Sequence, residues 1–197
     1  GSNAMSASTV QLLYAIGAVA GLLFLIWLAV LAIAARVSDD VADSFWRIRE
    51  RFGRVAMAGA FTVALLATTG SLYFSEIVGY EPCRLCWYQR IAMYPLVVIL
   101  AMGLWRRDVN VRWYAIPVAL IGAVVSGYHY TLEWFPSIDI SACKVGIPCT
   151  AVWFRELGFV SLPFLALMSF LLIIALLLIP LGRHDDESDE GAEAAAA

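Results

Sequence analysis

Charge is scarce in this chain. Only 15% of its 197 residues are charged, against 62% hydrophobic, and the 13 basic residues include a single lysine, Lys144. That balance excludes an ordinary soluble globular domain, which needs far more polar surface. The formal net charge is -3, so nothing points to nucleic acid. Sustained alternation of apolar and polar residues is also missing, which removes a membrane β-barrel.

What the chain has instead is long uncharged runs. Five stand out, at residues 10–35, 55–75, 91–105, 113–132 and 157–182. A bilayer core takes about 20 apolar helical residues, and four runs meet that directly. The third extends backward through Cys86, Trp87, Tyr88 and Gln89 by taking in Arg90, whose long side chain can snorkel to the interface. The first run has no basic residue before it and is longer than a signal-peptide core, so it reads as a retained helix. Residues 1–4 read as an expression scar before Met5. Residues 5–36 form the N-terminal transmembrane helix, and 37–54 a basic linker that is either a surface-lying amphipathic helix or a charged loop. Residues 55–182 carry the remaining four helices, and the acidic 183–197 tail is expected to be disordered. The expected fold is therefore an all-α membrane protein, a four-helix transmembrane bundle plus one extra N-terminal transmembrane helix.

Basic residues set the orientation. Arg36, Arg47, Arg49, Arg51, Arg54, Arg106, Arg107, Arg112 and Arg183 fall on one side, and Arg84, Arg90, Lys144 and Arg155 on the other. The richer side should be cytoplasmic, with the N-terminus outside and the C-terminus inside. Both cysteine pairs, Cys83/Cys86 and Cys143/Cys149, then lie outside the cell membrane, where disulfides persist.

The first pair sits in Glu81-Pro82-Cys83-Arg84-Leu85-Cys86, with proline just before a helix start. Free N–H groups and the positive dipole end there favour a thiolate, the reactive form of cysteine. The alternative for this spacing is half a zinc site. Arg90 lies one helical turn beyond Cys86, placed either to serve a thiolate or ligand carbonyl or to anchor the span at the interface. The second pair brackets a short Gly- and Pro-containing loop that suits exchange, or a plain structural disulfide. His129 near the outer end of the fourth span is an ionisable group at membrane depth, with Glu133 four residues on as its expected partner.

Cys83-Arg84-Leu85-Cys86-Trp87-Tyr88-Gln89-Arg90, followed by Ile91, Tyr94 and Pro95, resembles the DsbB/BdbC family of quinone-coupled disulfide oxidoreductases. Gly158-Phe159-Val160-Ser161-Leu162-Pro163-Phe164-Leu165 is similar to the start of that family's last helix, and the short loop ending in Pro148-Cys149 resembles the BdbC branch. The resemblance implies that Cys83, Cys86, Cys143 and Cys149 are catalytic. It implies that Cys143 meets an extracytoplasmic thioredoxin-fold thiol oxidase of the DsbA/BdbD kind, and that Cys149 exchanges with the first pair. It places Cys86, Arg90, His129 and Glu133 at a site for ubiquinone or menaquinone; Glu133 stands where the DsbB branch is expected to carry glutamine. It covers residues 55–181, so the first helix lies outside the expected catalytic core. The rivals are a vitamin K epoxide reductase-like protein, in which the loop cysteines come first, a membrane metal-binding or transport protein with cysteine ligands, and an inert scaffold with two structural disulfides.

Overall fold

The computed structural model describes residues 2–37, 39–138 and 147–178, with side chains described over 7–37, 55–138 and 147–178. Among the described residues five α-helices follow one another: α1 (Ser2–Ala34), α2 (Asp39–Leu72), α3 (Arg84–Arg106), α4 (Arg112–Trp134) and α5 (Leu162–Leu178). Among the described residues the extended pairing is limited to one isolated bridge, Glu156 to Val160.

Four segments are long and apolar enough to cross a membrane: Ala7–Ala34, Val55–Ile77, Arg84–Arg106 and Val109–Trp134. The fifth, α5, is described for 17 residues, about 26 Å at helical rise. The molecule is a multi-pass membrane protein. α2, α3, α4 and α5 pack in a ring, each against the next, and α1 lies outside it against α2 and α5. Leu96, Leu100, Ala60, Ala64, Ala119, Phe170 and Ile173 form the core of the ring. Because lipid is as apolar as the core, helices in membranes hold together by close packing, which small residues permit. At Gly122 on α4 a Cβ would lie 2.3 Å from the Phe170 ring on α5, so only glycine admits that ring.

Two local features depart from the runs read in the sequence. The linker over 37–54 is neither a separate surface helix nor a loop. From Asp39 it is helical and continuous with the second span. The last helix starts at Leu162, not at 157, because Leu157 (φ 53) and Gly158 (φ 81) both take left-handed backbone. Two such residues in succession cannot belong to a right-handed helix. They close a tight turn in which Glu156 and Val160 exchange both backbone hydrogen bonds at 2.9 Å. α2 also ends unusually, in the π-helical turn Tyr73–Ile77, where Val78 N–H donates to the Tyr73 carbonyl at 3.1 Å. Single π turns often mark functional sites, and this one borders the cavity described below.

Candidate functional site

Cys83 is the N-cap of α3. Its backbone is extended (φ -70, ψ 175), and its Sγ accepts the Cys86 N–H at 3.3 Å. The side chain thus takes the place of a serine or aspartate cap and satisfies a first-turn donor. Its neighbours are Leu85, Leu132 and Cys149, and it is buried with them. The two sulfurs of the pair are 3.0 Å apart, and both are free thiols. The Cys86 thiol acting as donor, helped by His129 and the Cys86 N–H, holds the Cys83 thiol well below its ordinary range, at about 4, against the opposing effect of burial.

His129 reaches Cys83 from α4. Its Nε2 is 3.6 Å from Cys83 Sγ and 3.1 Å from the Cys149 carbonyl oxygen, while Nδ1 is 3.1 Å from the Gln89 amide nitrogen. With Gln89 donating to Nδ1, the proton is assigned to Nε2, which faces the sulfur and the carbonyl. Cys83, Cys86 and His129 present ligand atoms within 4.8 Å of one another. Two zinc-bound thiolates in tetrahedral geometry would stand about 3.8 Å apart, wider than the 3.0 Å here. The spacing favours a pair that makes and breaks its own bond. Cys149 is buried and disulfide-bonded. Cys143 lies outside the described residues.

On the other side of Cys86 a cavity of about 100 Å³ opens between α2, α3 and α5. Its walls are mostly apolar and aromatic, including Phe74, Tyr80, Met93, Leu165 and Phe170. Cys86 and Arg90 both line it; Cys83 does not. Cys86 therefore touches both the cluster around Cys149 and the cavity, whereas Cys83 touches only the cluster. Arg90 is 9% exposed, and its guanidinium lies 5.3 Å over the Trp87 ring. Nε donates to Ser71 Oγ at 3.0 Å and Nη2 to the Ser71 carbonyl at 3.1 Å. Among the described residues no carboxylate pairs with it. Burying an unpaired charge costs several kcal/mol, and a protein tolerates that where the charge has a task. Tyr94, also on the wall, has a buried hydroxyl with no hydrogen-bond partner. An apolar slot with an unspent guanidinium fork and an orphaned phenol suits a flat apolar ligand carrying hydrogen-bond acceptors.

His129 and Glu133 do not line this cavity. Glu133 was expected to partner His129 at helical spacing. Its hydrogen-bonded partner is instead the Ser161 hydroxyl just before α5, and both groups are buried. Gln89, the hydrogen-bonded partner of His129, lies within the Cys83–Arg90 motif on a different helix from His129, so sequence spacing does not pair them. Ser71 and Tyr14 carried no local signal, since each reaches the site from another helix; Tyr80 is only three residues before Cys83, but its contacts with Gln11 and Trp153 are long-range.

A redox-paired dithiol at a buried helix start, beside a buried disulfide and an apolar cavity inside a helical bundle, defines a membrane thiol–disulfide oxidoreductase. The chain belongs to the DsbB family: the profile described as "Disulfide bond formation protein DsbB" matches residues 53–180. It is similar to "Probable disulfide formation protein C 2" of Bacillus anthracis, 48% identical over 123 residues, which cover 62% of this chain and 88% of that protein. "Probable disulfide formation protein C" of Halalkalibacterium halodurans is 51% identical over 118 residues, 59% of this chain and 86% of that protein. "Disulfide bond formation protein C" of Bacillus subtilis is 44% identical over 133 residues, 67% of this chain and 96% of that protein. No solved structure matches the chain.

Proposed function

We propose that this protein reoxidises an extracytoplasmic thioredoxin-fold thiol oxidase and delivers the electrons to a membrane quinone, ubiquinone or menaquinone. The observation that carries this reading is that Cys86 and the buried Arg90 line one apolar cavity, while Cys83, which does not line it, packs with Cys149.

A partner thiolate attacks Cys143 and releases Cys149 as thiolate; the partner's second thiol resolves the mixed disulfide and leaves oxidised. Cys149 then attacks Cys83 of the oxidised inner pair, with Cys86 as leaving group, and Cys143 attacks Cys149 to free Cys83. His129 Nε2–H, between Cys83 and the Cys149 carbonyl, stabilises negative charge on Cys83 during this exchange. Arg90 and Tyr94 are the donors for quinone oxygens, and Gln89 keeps the His129 ring oriented. The quinone supplies the sink for two electrons and two protons. The metal-ligand and inert-scaffold readings have no use for the cavity beside Cys86.

Quinone added to the reduced, detergent-purified protein should lose its oxidised-form absorbance in step with loss of two free thiols per quinone reduced. Thiols that persist in the presence of excess quinone would refute electron transfer to quinone. The proposed orientation in the plasma membrane has all four cysteines outside. After mild reduction, a membrane-impermeant maleimide applied to intact cells should label them; labelling confined to inverted vesicles would reverse the topology, and with it the partner's compartment.

A further inference from the structure

The family profile starts at residue 53, so α1 has no counterpart in the matched region, and the sequence leaves its role open. The structure places it differently. Gln11, Ala15, Ala18 and Gly21 recur at helical spacing and form one buried stripe. The stripe lies against α5 and α2. At Gly21 an added Cβ would come 2.6 Å from Leu172 Cδ1 of α5.

Beyond that packing, α1 reaches the cavity. Tyr14 is part of its wall. The Tyr14 ring sits where Gly70 of α2 has no side chain, since a Cβ there would lie 2.5 Å from Tyr14 Cζ. Its hydroxyl donates to the Leu66 carbonyl at 3.0 Å, and its edge meets Phe74 at 5.8 Å between centroids. One turn earlier, Gln11 Nε2 donates to the Tyr80 hydroxyl at 2.7 Å. Tyr80 lines the cavity too, stacked on Trp153 at 4.9 Å. Gln11 is 8% exposed and is the buried polar side chain of α1 among the described residues. A helix that only anchors gains nothing from an amide on its inward face, because burying one without a partner costs free energy.

We propose that α1 is a wall of the quinone site: Tyr14 contacts the bound quinone, and Gln11 is a positioning residue that fixes Tyr80 and Trp153 against it. This rests on the quinone reading above. It assigns part of the acceptor specificity to a helix outside the region shared with the family.

The test is equilibrium dialysis of a radiolabelled short-chain benzoquinone against the oxidised full-length protein in detergent, where no electrons can flow. Tyr14→Ala should weaken binding about tenfold and Gln11→Leu about threefold, while Tyr14→Phe, which keeps the ring, stays within about twofold. Leu13→Ala, on the outward face at 63% exposed, should bind as the parent does. In turnover, the losses should appear in the quinone KM with kcat held within about twofold, which a general loosening of the fold would not produce. Parent-like affinity in both Tyr14→Ala and Gln11→Leu overturns the role of α1. Failure of the parent protein to bind the quinone at all would instead remove the quinone reading on which it stands.

Discussion

Cys86→Ser is expected to abolish quinone reduction while the outer pair still oxidises one equivalent of reduced partner. A partner whose second cysteine is replaced by serine is expected to be captured by the parent protein as a stable mixed disulfide on Cys143, with Cys149 released as thiolate. The reason is spatial. Cys86 lines the cavity and Cys83 does not, whereas Cys83 shares a buried cluster with Cys149, Leu132 and Leu85. An apolar acceptor therefore meets the second sulfur of the inner pair, and disulfide exchange meets the first. Without the partner's second thiol nothing releases the oxidised partner, so the mixed disulfide formed at the loop pair persists. Non-reducing electrophoresis with mass mapping of the cross-link reads the site of capture. A partner trapped on Cys83 would reverse the order and make the loop pair structural. Quinone reduction surviving in Cys86→Ser would move the acceptor contact to another sulfur.

The parts of this site that a sequence can reveal are those within a turn or two of each other. The inner pair, its helix start and Arg90 were readable because Pro82, Cys83, Cys86 and Arg90 are near neighbours whose spacing fixes their relative placement. The apolar runs of the spans were readable because lipid demands them. Contacts between helices were not. Glu133 looked like the partner of His129 because both lie on α4, yet the start of α5 brings Ser161 to Glu133 and α3 brings Gln89 to His129. Ser71, the residue that holds Arg90, is 19 positions before it. Tyr14 and Gln11 sit in an apolar run whose role the sequence leaves open, and only the packing of α1 over the junction of α2 and α5 gives them one. The turn at Leu157 was hidden for another reason: a left-handed leucine has no signature in an apolar run.

Arg90→Ala should lower quinone turnover by about 10- to 100-fold, with Arg90→Lys recovering part of the loss. A hydrogen bond from a charged group contributes about 1.5–3 kcal/mol, and about 1.4 kcal/mol is a factor of ten. Two donors of the guanidinium are committed to Ser71, which fixes its plane and leaves the rest of the fork free at the cavity wall. Lysine keeps the charge but cannot hold Ser71 and an acceptor in one rigid plane. Exchange between the two cysteine pairs should be nearly unaffected, because Cys83 and His129, neither of which lines the cavity, carry that step. The separation is measurable. Single-turnover oxidation of the partner without quinone should match the parent in all three proteins, while the quinone-dependent rate falls in the order Arg, Lys, Ala. If the three proteins turn over quinone alike, the charge serves only to seat α3 at the membrane surface. If partner oxidation falls instead, Arg90 acts on the Cys86 sulfur during exchange and not on the acceptor.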